Sequence, residues 1–197
     1  MTEQAEHQLL RQAQEGDYDA FEQLHDALQP QIKRFVGRLI GYGQEVEDIT
    51  QDTFISLYTN LCRIDPVENL RPYVFRIARN RCYDALRRQG RFEQVSLDDE
   101  PVEMRVSFAH VPYEGIPEDT THWLLLHLEV QEAMDRLPEL QRQTLILYCE
   151  EEMTYHEIAE VMNVSIGTVK SRLFHARATL RRLLKPETLR AIGDNIY

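Results

Sequence analysis

The sequence predicts an all-α chain: two small helical domains joined by a flexible acidic linker. Three observations carry that prediction. Apolar residues recur at helical spacing through most of the chain, no stretch alternates apolar with polar residues as a half-buried strand would, and the helical period fails between about Phe92 and Thr121. With 43% hydrophobic residues among 197, the chain has enough apolar material for one or two small cores and is not a disordered tail.

In order along the chain, Ile32, Phe35, Val36, Leu39 and Ile40 fall on one face of a helix. After a turn at Gly41-Tyr42-Gly43, the residues Val46, Ile49, Thr53, Phe54, Leu57, Tyr58 and Leu61 continue the period as a second helix. A third pattern, Val74, Ile77, Ala78, Cys82, Ala85 and Leu86, begins just after Pro72, which a first helical turn tolerates because its missing N–H has no intrahelical acceptor there. Pro101, Pro112, Pro117 and Gly115 then interrupt the period, and acids cluster at Asp98-Asp99-Glu100. Some thirty structureless residues are unusual inside one compact domain, so this stretch reads as a tether. Helical signal returns at Trp123–Leu137 and Glu139–Glu150. Thr154 and Glu157 form a T-x-x-E capping box that starts a helix at Tyr155, Asn163-Val164-Ser165 supplies a turn, and Ser165 caps a second, basic helix. Two helices split by so short a turn form a helix-turn-helix pattern. The resulting division is a first domain at 1–91, a linker at 92–121, a second domain at 122–185 and a tail at 186–197.

A net charge of −11 argues against a nucleic-acid partner only if the charge is evenly spread, and it is not. Residues 63–91 carry eight basic and three acidic side chains, and residues 164–185 carry six basic and none acidic, whereas residues 92–130 carry one basic and nine acidic. On the second helix of the pair, Val169, Leu173, Ala176 and Leu180 face a core, which leaves Lys170, Ser171, Arg172, Phe174, His175 and Arg177 outward. Long donors near the start of such a helix suit the major groove of duplex DNA. In the first basic island Arg76, Asn80, Tyr83 and Arg87 share one polar stripe. Rings, amides and guanidinium groups interleaved in this way suit an unstacked strand, although an arginine-rich solvated face reads equally well from the spacing alone.

Segment 45–61, EVEDITQDTFISLYTNL, followed by RPYVFRIARNRCYDALRRQGR at 71–91, resembles regions 2.2 to 2.4 of the extracytoplasmic-function (ECF) sigma factors, a compact group of bacterial sigma-70-type transcription initiation factors. LPELQRQTLILYCEEEMTYHEIAEVMNVSIGTVKSRLFHARATLRRLL at 137–184 resembles their region 4, and LLRQAQEGDYDAFEQLHDALQPQI resembles their usual opening. The resemblance implies a factor that binds core RNA polymerase and directs it to specific promoters. It places Asp48, Gln51 and Asp52 against the β′ clamp helices, and the stretch 139–150 against the β flap. It also implies capture of the melted −10 element by Tyr73, Arg76, Asn80, Tyr83 and Arg87, and reading of the −35 duplex by Ser165, Thr168, Lys170, Ser171, Arg172 and His175. By the same analogy the acidic linker threads the polymerase channel, and an anti-sigma factor is the further partner such proteins commonly have. The chain departs from the family pattern in carrying Tyr58 and Tyr73 where many relatives have tryptophan, and Glu150-Glu151-Glu152-Met153 where a glycine commonly precedes the capping box.

Other classes find less support. His122, His127 and Glu129 invite a metal reading, but the two histidines are five residues apart and no HExxH occurs, so no metal, cofactor or catalytic residue is expected. A stand-alone helix-turn-helix regulator, with 1–91 as a sensing or dimerising module, is the alternative; the Arg-Asn-Tyr stripe has no use in such a module. No run approaches the roughly 18 apolar residues of a membrane helix, and MTEQAEHQLLRQ lacks the pattern of a signal peptide. Three cysteines without a CxxC pair fit reduced thiols, and a bacterial cytoplasmic location is expected.

Overall fold

The computed structural model describes residues 3–64, 70–90 and 120–192. Nine α-helices appear among them: α1 (Glu3–Gln14), α2 (Tyr18–Ile40), α3 (Gln44–Thr59), α4 (Leu70–Arg88), α5 (Thr120–Asp135), α6 (Glu139–Cys149), α7 (Tyr155–Met162), α8 (Ile166–Leu183) and α9 (Pro186–Ile192). A single 3-10 turn spans Leu61–Arg63, and no strand occurs among the described residues. Most of the linker expected at 92–121 lies outside the described residues, and its last two, Thr120 and Thr121, already belong to α5. The stretch read as a tail opens with α9, whose Leu189 packs on the core and whose Thr188 is buried.

Helices α1–α4 form the first unit. The Asp17 carboxylate starts α2 by accepting from the Ala20 N–H at 3.1 Å, and the helix then runs through the exposed Pro30 without breaking. It buries Leu24, Leu28, Ile32, Phe35, Val36 and Leu39. Gly41, at φ +87°, closes it in a backbone conformation that costs glycine little. On α3, Thr50 and Thr53 are buried; their hydroxyls donate to the Val46 and Ile49 carbonyls at 2.7 Å, so neither is left unsatisfied. α4 crosses α2 and α3 and buries Val74, Phe75, Ala78, Cys82, Ala85 and Leu86, with the Phe35 and Phe75 rings edge-to-face at 5.1 Å. Pro72 sits in its first turn.

Helices α5–α9 form the second unit. The capping box is complete: the Glu157 N–H donates to the Thr154 hydroxyl at 3.3 Å, and the Thr154 N–H donates to the Glu157 carboxylate at 2.8 Å. Ser165 accepts from the Thr168 N–H at 3.1 Å and starts α8. Thr154→Ala is expected to lower stability by about 1 kcal/mol, measured by thermal unfolding. The two units meet along α4 and α7, and their apolar residues form one continuous cluster.

Candidate nucleic-acid interface

The helix-turn-helix works as a rigid mount because its core side is filled. Ile158, Val161 and Met162 of α7 pack with Val169, Leu173, Ala176 and Leu180 of α8. Asn163 takes the left-handed conformation between them, φ +54°, which asparagine tolerates better than most residues. What remains outside is a cationic ridge. Lys170, Ser171 and His175 are exposed, Thr168 and Arg172 are half-buried, and Ser165 is exposed although its hydroxyl serves as the cap and also meets the Thr168 hydroxyl at 2.9 Å. Phe174, 68% exposed, stands in the same ridge with its ring 5.5 Å from that of His175. Sequence reasoning placed it on this face without assigning it a role; an exposed ring four residues after Lys170 is suited to meeting a thymine methyl.

On α4 the predicted stripe is only partly presented. Arg76, Asn80 and Arg87 are exposed, Tyr73 is half-buried with the Arg76 guanidinium 5.4 Å from its ring centroid, and Arg87 pairs with Asp84 at 3.2 Å. Tyr83 does not stand beside them. It is 7% exposed, and its hydroxyl accepts from the Gln143 amide of α6 at 2.7 Å. Burial pushes the Tyr83 phenol above its ordinary pKa. Arg79, which lies beside the stripe in sequence, joins this cluster, donating to the Gln143 amide oxygen at 3.1 Å with its guanidinium 4.6 Å from the Tyr83 ring centroid. Arg172 reaches the same place from α8: burial first, and then the nearby Arg79 charge, pull its guanidinium below the ordinary value. Tyr83 and Arg172, assigned from sequence to two separate surfaces, thus converge near Arg79.

A third surface lies on α3. Asp48, Gln51 and Asp52 are all exposed, while their neighbours Glu47 and Glu45 are engaged by Lys33 at 2.5 Å and by Gln89. Gln51 also lines a groove of about 480 Å³ between α2 and α3, with Tyr18, Phe21, His25, Ile55 and Tyr58 among its walls. Ile55 is 57% and Tyr58 54% exposed, so the acidic face continues into an apolar one. The sequence carried a signal for this extension, since Gln51, Ile55 and Tyr58 fall at helical spacing, but the period alone assigned Tyr58 to the core.

The chain matches the family model for sigma-70 region 2 over residues 24–92 and that for sigma-70 region 4 over residues 127–180. Among known proteins it is 30% identical to an ECF RNA polymerase sigma-E factor of Salmonella typhimurium (strain LT2), over 94% of this chain and 98% of that one. The chain belongs to the ECF RNA polymerase sigma factors. This sigma factor is also 29% identical to SigW of Bacillus subtilis over 89% of its own length and 95% of the relative's. Its fold is that of the sigma factor RpoE of Bartonella quintana, solved in complex with the anti-sigma factor NepR: the TM-score is 0.61 at 24% identity, over 84% of this chain and 97% of that one.

Proposed function

We propose that this sigma factor binds core RNA polymerase and directs it to promoters, with α8 reading the duplex of the −35 element and α4 holding a separated strand of the −10 element. In this reading 1–91 serves polymerase binding and melting, 122–185 serves duplex recognition, and the acidic stretch 92–121 links them in the bacterial cytoplasm. The polymerase supplies all the bond-making chemistry, and this chain supplies address and melting.

The observation that carries the reading is the separation of two cationic surfaces of different texture. Lys170, Ser171, Arg172 and His175 lie along the first turns of a helix mounted on a second helix, the geometry that enters a major groove. Arg76 and Asn80 lie on a long helix beside the Tyr73 ring, a stacking surface for bases with charges for phosphates. Asp48, Gln51 and Asp52, continued by Ile55 and Tyr58, give the polymerase an acidic rim around an apolar centre, as protein interfaces are commonly built. An anti-sigma factor would compete for these same surfaces.

Two single substitutions test the division of labour in the reconstituted holoenzyme. Arg172→Ala is expected to weaken binding to upstream duplex by about 1–3 kcal/mol and to leave opening of a pre-melted template unchanged. Asn80→Ala is expected to spare duplex binding and impair opening, read by permanganate reactivity of unpaired thymines. Equal effects of both variants on both steps would refute the assignment.

A further inference from the structure

Two tyrosines of the second unit and one arginine of α8 have no part in the reading proposed for this chain. Tyr148 lies in the last turn of α6 and Tyr155 opens α7, and both are half-buried against the core of their unit. Their ring centroids are 5.5 Å apart, with the planes tilted by 37°. Each ring carries a cation from α8. The Arg177 guanidinium stands 5.0 Å from the Tyr148 centroid, and the Lys170 ammonium stands 6.0 Å from the Tyr155 centroid. The four groups therefore run in the order Lys170, Tyr155, Tyr148, Arg177, with a cation at each end and two rings between.

Helical phase gives this row its direction. Lys170 and Arg177 are seven residues apart, which is two turns or about 10 Å along α8, so they share one flank of the helix. Ser171 and His175 lie on the ridge opposite the buried stripe, and Arg172 lies on the other flank, near Arg79. A helix about 10–12 Å across fills a major groove about 12 Å wide, so its ridge meets base edges and its flanks meet the two sugar-phosphate strands.

Neither cation of the row is neutralised. Among the described residues no carboxylate pairs with Lys170 or Arg177, whereas Arg87, Arg142 and Lys185 are held by Asp84, Glu139 and Glu129. The Arg177 Nε and Nη2 are buried without a hydrogen-bond acceptor, so the Tyr148 ring is what steadies that guanidinium. An aromatic face attracts a cation through its quadrupole and leaves the full charge for a phosphate. A side chain already steadied also has less freedom to lose on binding.

We propose that Lys170 and Arg177, seated on Tyr155 and Tyr148, form a phosphate rail along one strand of the −35 duplex. The two tyrosines are positioning residues, and Lys170 holds the backbone instead of reading a base. The rail stands on the cation–ring geometry; its ligand rests on the assignment of α8 to duplex DNA. That ligand is a nucleic-acid backbone and not an acidic protein surface, because the flank is continuous with the ridge of Ser171 and His175, in a segment, 164–185, that has six basic and no acidic side chains. Binding through such a rail is blind to sequence and steep in salt.

The test uses the reconstituted holoenzyme and promoter fragments from which it initiates, with the upstream element intact or changed one base pair at a time. Affinity is measured over a potassium chloride series, and thermal unfolding of the free chain shows that each variant is folded. Lys170→Gln and Arg177→Gln are each expected to weaken binding several-fold, by the same factor on every fragment, and to reduce the steepness of log affinity against log salt by about one. Tyr148→Leu is expected to weaken binding in the same uniform way, and Tyr148→Phe, which keeps the ring, to retain it. Tyr148→Leu combined with Arg177→Gln is expected to bind no worse than Arg177→Gln alone. A loss in Lys170→Gln confined to one base pair makes Lys170 a base reader and overturns the rail at that end. Additive losses in the double variant overturn the positioning role of Tyr148. Unchanged affinity and steepness in Arg177→Gln, with Arg172→Ala still weakening duplex binding, overturn the rail and leave this flank to an acidic protein partner. Unchanged duplex binding in Arg177→Gln and Arg172→Ala alike overturns the assignment of α8 to the duplex, and the rail with it.

Discussion

Phe75→Ala is expected to cost about 3–5 kcal/mol of stability, the range for truncating a fully buried phenylalanine. Phe75 has no exposed surface, lies where α4 crosses α2, and meets Phe35 edge-to-face at 5.1 Å. The loss includes transfer of the ring from an apolar site, the cavity left behind and the aromatic pairing. Against a typical total of roughly 5–15 kcal/mol, that is a large fraction of what a domain has. For a chain of this size each kcal/mol lowers the melting temperature by about 2–4 °C, so a drop of about 6–20 °C is expected in a thermal unfolding scan. The functional result follows from the same geometry, because α4 carries Arg76 and Asn80 and cannot hold them in register once its buried face is loose. Phe174→Ala is the matched control. That ring is mostly exposed on α8, so its removal is expected to leave the melting temperature almost unchanged and to affect only DNA binding.

Tyr58→Ala is expected to weaken the complex with core polymerase by at least about 2 kcal/mol, roughly 30-fold in Kd. Tyrosine is among the residues that dominate interface energetics, because it brings a large rigid apolar body with a polar tip at small conformational cost. Tyr58 packs edge-to-face on Phe21 at 4.9 Å, which holds it upright beside Ile55 and Tyr18 in the α2–α3 groove. Its removal leaves the core beneath intact, so stability is expected to change little while binding falls. Titrating labelled protein with core polymerase and following anisotropy separates the two. Asp48→Asn and Asp52→Asn, on the acidic rim, are expected to lower the association rate and its salt dependence more than the dissociation rate. An unchanged Kd for Tyr58→Ala would remove the groove from the polymerase interface.

The local features of this fold were readable from sequence because their causes are local. The Thr154–Glu157 box and the Ser165 cap join residues three apart, so the sequence places them in the structure where it places them in the chain. The buried stripe of α4 follows its 3.6-residue period from Val74 to Leu86. Tyr83 shows where that reasoning ends. Its helical phase sets it beside Asn80, but Gln143, 60 residues away in the chain, covers it. Glu150 and Glu151 are similar: from sequence they are acids close to a DNA-reading helix, and their partners Arg38 and Arg34 lie more than a hundred residues earlier. Tyr58 went the other way, since its spacing fits a core face, but it meets α2 only at Phe21 along the open α2–α3 groove and stays 54% exposed. In each case the deciding contact is tertiary, and periodicity carries no information about it.

The central claim is that this chain gives a polymerase its promoter address. Transcription in vitro from a fragmented genomic library, with core polymerase in the presence and absence of the protein and start sites mapped by sequencing, measures it most directly. The expected result is a discrete set of start sites that depends on the protein, shares one pair of upstream elements, and disappears with Asn80→Ala and Arg172→Ala combined. The same scattered starts with and without the protein would contradict the claim.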